Sequence, residues 1–192
     1  MGGRVIHLLR HGPPLVTGLL LGHTDMPLAV ENSPGMPSRF HELPLAAIVS
    51  SDLRRCREPA EQMAQALDLP HRNDPDWREL NFGEWDGLVP SAVDQDRLAQ
   101  FQTDPETCPP PGGERWSQIC ARVRRGMERL AGQTLVLTHA GAIRAALAVA
   151  TGLDYSGVWA VDLPYGAMLS LRLWQAEGYH GQMIGLDAGQ PA

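Results

Sequence analysis

Two short apolar runs, each ended by a histidine with glycine within two positions, constrain this chain more than anything else in it. Val5-Ile6-His7-Leu8-Leu9 stops abruptly at Arg10-His11-Gly12-Pro13-Pro14, and Thr134–Thr138 stops at His139-Ala140-Gly141. Short apolar runs bounded by breakers read as buried strands, and the glycines behind them as turns into a loop or a helix. Leu45–Ser50 is a third such run, and Ala167–Leu173 alternates as a strand with Leu169, Leu171 and Leu173 on one side.

Helical patterns lie between the strands. From Asp52 to Leu67 the apolar set Leu53, Cys56, Ala60, Met63, Ala64 and Leu67 has helical spacing, with Ser51 or Asp52 as the expected N-cap and Pro59 to be accommodated. Trp116, Ile119, Cys120, Val123, Met127 and Leu130 mark a clearer helix, with Arg115, Arg122, Arg124 and Arg125 read mostly onto its other faces. Ala142–Ala150 is apolar nearly all round and predicts a buried helix; a weak helical signal falls near Ser38–Leu43. This alternation predicts an α/β domain of three layers, a mostly parallel central sheet with helices on both faces. At 192 residues, with no repeat and no linker, residues 1–192 form a single domain.

A net charge of -6 supplies no basic surplus to displace counterions, which argues against nucleic acid as a partner. It leaves room for a local basic pocket, because field focusing depends on local charge. The longest apolar stretches are too short to span a bilayer, and Met1-Gly2-Gly3-Arg4 lacks the features of a secretory signal. Cys56, Cys108 and Cys120 are odd in number and lack zinc-type spacing, which fits a reducing compartment, so a cytoplasmic location is expected. His7, His11, His23 and His41 also lack a second ligand group at metal spacing, and no metal or other cofactor is expected.

In doubly layered α/β sheets, ligands bind beyond the carboxyl ends of the strands, where Arg10-His11 and His139 fall. Arg144 follows the second histidine, and Arg54, Arg55 and Arg57 crowd the first turns of the Asp52 helix. Arginine presents a planar fork suited to phosphate oxygens, and a helix start after His139 favours an anion. Taken singly, either histidine reads as readily structural as functional. His7 reads as a core histidine, and Phe82, Trp85 and Trp116 as core aromatics.

Four ordered motifs cover nearly the whole chain: Leu9-Arg10-His11-Gly12, Ser50-Ser51-Asp52-Leu53-Arg54-Arg55-Cys56, Arg78-Glu79-Leu80-Asn81-Phe82-Gly83-Glu84-Trp85-Asp86-Gly87, and Thr138-His139-Ala140-Gly141-Ala142-Ile143-Arg144. Together they resemble the histidine phosphatase superfamily, also called phosphoglycerate-mutase-like. The resemblance implies a metal-independent phosphomonoesterase acting on a small phosphorylated metabolite. It assigns His11 as the nucleophile that forms a phosphohistidine and Arg10, Arg55 and His139 as phosphate ligands. Cys56 stands where the family has alanine, which selects Arg55 over Arg54 and Arg57. Glu79 matches the acid that protonates the leaving oxygen.

The family usually continues Arg-His-Gly-Glu-Thr with an asparagine slightly later, whereas this chain continues Pro13-Pro14-Leu15-Val16-Thr17. Thr17 and His23 are therefore the residues that replace, in part, the missing polar contacts, with Gly22 and Ala140 as further pocket positions. Gly22-His23-Thr24-Asp25-Met26-Pro27-Leu28, the Phe82–Gly87 segment and Pro111-Gly112-Gly113-Glu114 look most like the α-ribazole phosphatase branch, and that last loop is expected to edge the pocket. The leading candidate substrate is α-ribazole 5'-phosphate. A phosphoglycerate-type mutase and a non-catalytic phospho-ligand binding protein are the alternatives, and the oligomeric state stays open.

Overall fold

The first apolar run organises the sheet. The structure, a computed structural model, describes residues 3–29, 40, 43–176 and 178–188. Strand β1 (Arg4–Arg10) pairs in parallel with β4 (Thr134–Thr138) on one side and antiparallel with β5 (Met168–Ala176) on the other. With β2 (Ala47–Ser50), β3 (His71–Asn73) and β6 (Gly178–Asp187) the order is β3-β2-β4-β1-β5-β6. Four strands run parallel and β5 and β6 turn back against them, giving a mostly parallel sheet with an antiparallel flank.

Alternation along the central strands divides the hydrophobic residues between two cores. Ile6, Leu8, Val49 and Val136 face one core, while Leu9, Ile48, Leu135 and Leu137 face the other. Helix α1 (Arg54–Leu67) closes the second with Cys56, Ala60, Met63 and Ala64. Helices α3 (Trp116–Glu128) and α4 (Ala140–Thr151) pack on each other and close the first. The result is helix, sheet and helix in three layers. Two shorter helices, α2 (Gln95–Thr103) and α5 (Tyr155–Val158), flank the first core, and no described helix is long and apolar enough to cross a membrane.

Some local expectations are corrected. Helix α1 starts at Arg54 with Leu53 as N-cap, because Arg78 takes the Asp52 carboxylate (2.7 and 2.6 Å) and the Ser51 hydroxyl accepts from Leu53 N–H. The carboxylate that receives the first-turn N–H of Arg54 is Asp25, at 2.6 Å. The helix runs through Pro59 without a break. The signal near Ser38–Leu43 lies, apart from Phe40 and Leu43, outside the described residues. His7 is buried, as expected of a core histidine; its Nδ1 pairs with the Ser170 hydroxyl, and its Nε2 has no partner among the described residues.

Candidate active site

Parallel pairing of β1 and β4 brings both strand ends out of the same edge, in register Arg10 with Thr138. His11 N–H donates to the Thr138 carbonyl at 2.9 Å, and the two imidazoles meet edge to face with centroids 5.0 Å apart. His11 Nδ1–H donates to the Gly12 carbonyl at 2.6 Å. That bond fixes the tautomer and leaves Nε2 with its lone pair. Burial drives the His11 pKa down to about 3, with the Arg55 and Arg10 guanidiniums pushing the same way and the Gly12 bond opposing. The ring is therefore a neutral nucleophile.

His139, the N-cap of α4, accepts from Arg55 Nε at Nδ1 (3.2 Å), so its proton sits on Nε2. Burial and then the Arg55 charge hold it well below the ordinary imidazole range. Arg55 is fully buried on the first turn of α1 and also donates to the carbonyls of Thr24 (2.9 Å) and Gly22 (2.6 Å). Arg10 stacks 4.0 Å over the Tyr165 ring and donates to the Leu163 carbonyl. Its buried Nε has no partner among the described residues. Arg55, Arg10 and a second imidazole thus cluster about the His11 ring, with His139 Nε2 3.5 Å from the Cys56 sulfur.

Glu79 reaches this cluster from the loop after β3. One carboxylate oxygen accepts from the Gly141 amide at 3.1 Å and the other from Leu80 N–H at 2.8 Å. The helix start after His139 is thus occupied by a carboxylate of the protein itself, and a Cβ on Gly141 would overlap it. The backbone beneath Glu79 is held from below by Arg122. This side chain donates to the carbonyls of Asp76 (3.0 Å), Arg78 (2.6 Å) and Glu79 (2.8 Å), and pairs with Glu114 at 2.8 and 2.9 Å. Glu114 in turn accepts from Asn81 N–H at 2.9 Å.

The Gly22–Thr24 segment is gripped from both sides. Asp86 accepts the three successive N–H groups of Gly22, His23 and Thr24 at 2.9, 2.8 and 2.8 Å, while Arg55 takes the carbonyls of Gly22 and Thr24. His23 Nε2 donates to the Glu79 carbonyl at 3.0 Å, so its ring supports Glu79 from the backbone side. Thr17 is exposed and forms no hydrogen bond with the described residues, whereas Ala140 opens α4 between His139 and the Gly141 that meets Glu79. The structure therefore gathers His11, Arg10, Arg55, His139, Glu79, Gly22, His23 and Ala140, and Thr17 makes no hydrogen bond to any of them.

The sequence pattern gives no site role to Arg122, Asp86 or Tyr165, and places Glu114 only in a loop expected to edge the pocket. Arg122 reads as one of the polar arginines of its helix, whereas its spacing from Ile119 and Gly126 puts it on the buried face. In the Pro109–Glu114 loop, Pro111 accepts from Glu84 N–H at 2.9 Å and Glu114 braces Arg122. A cleft of about 460 Å³ on this loop is lined by Arg97, Gln100 and Gln118 among others, and by none of the gathered site residues. Among the described residues no three His, Cys, Asp or Glu side chains converge as a metal site requires. Trp85 lies in the core and Phe82 and Trp116 pack against it.

Comparison with known proteins follows the same lines. Residues 6–183 match the histidine phosphatase superfamily (branch 1). A bifunctional protein of Mycobacterium tuberculosis is 33% identical over 141 residues, which is 70% of this chain but 38% of that protein, so the chain spans well under half of that relative. The adenosylcobalamin/alpha-ribazole phosphatase of Salmonella typhimurium is 26% identical over 186 residues, covering 90% of this chain and 91% of its own length. The structure of a mycobacterial glucosyl-3-phosphoglycerate phosphatase complexed with VO3 superposes with a TM-score of 0.84 at 25% identity, covering 97% and 100% of the two chains. With the family match running through both histidine turns and the Glu79 loop, this chain belongs to branch 1 of the histidine phosphatase superfamily.

Proposed function

We propose that the protein is a metal-independent phosphomonoester hydrolase that works through a phosphohistidine on His11. The observation that carries this reading is the neutral His11, its Nδ1–H tied to the Gly12 carbonyl and its ring beside His139 and the charges of Arg55 and Arg10. His11 Nε2 attacks phosphorus as the bond to the leaving oxygen breaks. Arg10, the remaining Nη–H of Arg55 and His139 Nε2–H take the charge that gathers on the phosphoryl oxygens, in a site that pre-orients them. Glu79, protonated, gives its proton to the leaving alcohol. Ionised, it then takes a proton from the water that attacks phosphorus and breaks the P–N bond, releasing phosphate and restoring His11.

The substrate is a small phosphorylated metabolite. Likeness over nearly the whole length and the Gly22–Leu28 motif favour α-ribazole 5'-phosphate. The glucosyl-3-phosphoglycerate phosphatase structure supplies the second candidate. A panel of these two esters with 3-phosphoglycerate and sugar phosphates, run in EDTA, tests the activity. Free phosphate, abolished in His11→Ala, is the expected product. An isomer of the substrate instead identifies a mutase, and binding without turnover identifies a phospho-ligand binding protein; either result rejects the hydrolase.

A further inference from the structure

Beside Glu79, on the same helix start, sits a cation that the hydrolytic cycle does not use. Arg144 lies on α4 one turn after Ala140, and helical side chains tilt toward the N-terminus of their helix. Its guanidinium therefore points back toward the helix end that holds Glu79. It interacts electrostatically with Glu79, Arg10, Tyr155 and Asp162. It stacks 3.9 Å over the ring of Trp159, which is 54% exposed. Arg144 Nε is buried with no hydrogen-bond partner among the described residues. A buried donor left unpaired is destabilising, so its place in the structure calls for an acceptor. Tyr155 packs edge to face on both Trp159 and Trp116 and holds that wall in place.

Glu79 faces the leaving oxygen in the proposed cycle, so whatever lies beside it meets the alcohol rather than the phosphoryl group. We infer that Arg144, backed by Trp159, recognises a second anionic group, a carboxylate or a second phosphate, on the alcohol that the phosphate leaves. The inference rests on the phosphohistidine reading for which side of the pocket is which. A planar fork with open N–H groups suits an oxyanion, and stacking on an indole holds the fork in one plane. In this assignment Arg10 serves the phosphoryl group and Arg144 the anion on the alcohol. Asp162 is exposed, so solvent screens its charge, and it makes no hydrogen bond to Arg144. Of the two candidate substrates, glucosyl-3-phosphoglycerate carries such a group and α-ribazole 5'-phosphate does not.

The test is a ratio. Specificity constants are measured for 3-phosphoglycerate and for glycerol 3-phosphate, which has a hydroxymethyl in place of the carboxylate, and likewise for fructose 1,6-bisphosphate against fructose 6-phosphate. The wild-type protein is expected to prefer at least one anionic member by tenfold or more, and Arg144→Gln to bring that ratio within about threefold of unity, chiefly through KM. Arg144→Lys is expected to retain part of it. Both ratios are independent of how much of a preparation is folded. A wild type with no preference in either pair, or a preference that survives Arg144→Gln, overturns the inference, as does a strong preference for α-ribazole 5'-phosphate over both anionic esters. If wild type releases no phosphate from any ester, the hydrolase reading fails separately. Calorimetric binding of the same pairs to wild type and Arg144→Gln then decides the role of Arg144.

Discussion

Glu79 accepts a hydrogen bond from the amide of Gly141, and the absence of a Cβ at Gly141 is what lets the carboxylate approach. The atom in the way of a Cβ is the end of a flexible side chain, so Gly141→Ala displaces Glu79 at small cost to the fold. The expected result is a Tm within a few degrees of wild type and a kcat lower by about a hundredfold, the scale of a lost general acid. An active Gly141→Ala protein would mean that Glu79 is not held there for catalysis.

The Arg122–Glu114 pair holds the backbone that carries Glu79. Its side chains are 10% and 18% exposed, so removal of one partner strands a charge away from water. Glu114→Ala should cost about 3 kcal/mol of stability. It should also lower kcat about tenfold or more at saturating substrate, because a small misplacement of the acid is expensive. Denaturant midpoints and steady-state rates check both, and a stability loss with unchanged kcat would reduce the pair to a purely structural role.

Asp86 acts on phosphate binding at one remove. Its carboxylate organises three N–H groups of the segment whose carbonyls position Arg55. Asp86→Ala is expected to raise KM and the inhibition constant for inorganic phosphate about tenfold, with a stability loss of about 2 kcal/mol from unpaired backbone donors. Equal phosphate inhibition in wild type and variant would break the link between Asp86 and Arg55.

Acid should weaken the fold through its buried histidines. His11 and His139 are both lowered from 6.5 in the native state, chiefly by burial, so the unfolded chain binds more protons below that pH. The His11 contribution is complete above about pH 6.5 and is lost as pH falls toward 3, by at most about 1.4 kcal/mol per pH unit, and His139 acts in the same direction. Denaturant midpoints at pH 7 and pH 5 should therefore show a decline that is shallower in His11→Asn. A parallel decline in the two proteins would remove His11 as its source.

The strand ends and the two histidines were legible because apolar runs and breakers are local signals. Four motifs in order then tied Arg55 and Glu79 to them. What sequence concealed was pairing across long separations. Asp25 receives the first-turn N–H of a helix 29 residues away, so Ser51 and Asp52 were the natural but mistaken caps. Arg122 looked like one polar-face arginine among four, since nothing local announces three carbonyls converging on it. The antiparallel return of β6 against β5 was missed too. Its strand, Gly178–Asp187, contains three glycines and lacks the clean alternation that exposed β5.

The central claim is that phosphorus passes through His11. Wild-type protein turning over a phosphomonoester in EDTA should be quenched in alkali during steady state and its peptides read by mass spectrometry. The account predicts a phosphoryl adduct on His11, stable in alkali, lost in acid, formed and decaying at least as fast as turnover, and absent from an inactive His11→Ala variant. Turnover without that adduct, or turnover retained by His11→Ala, would contradict it.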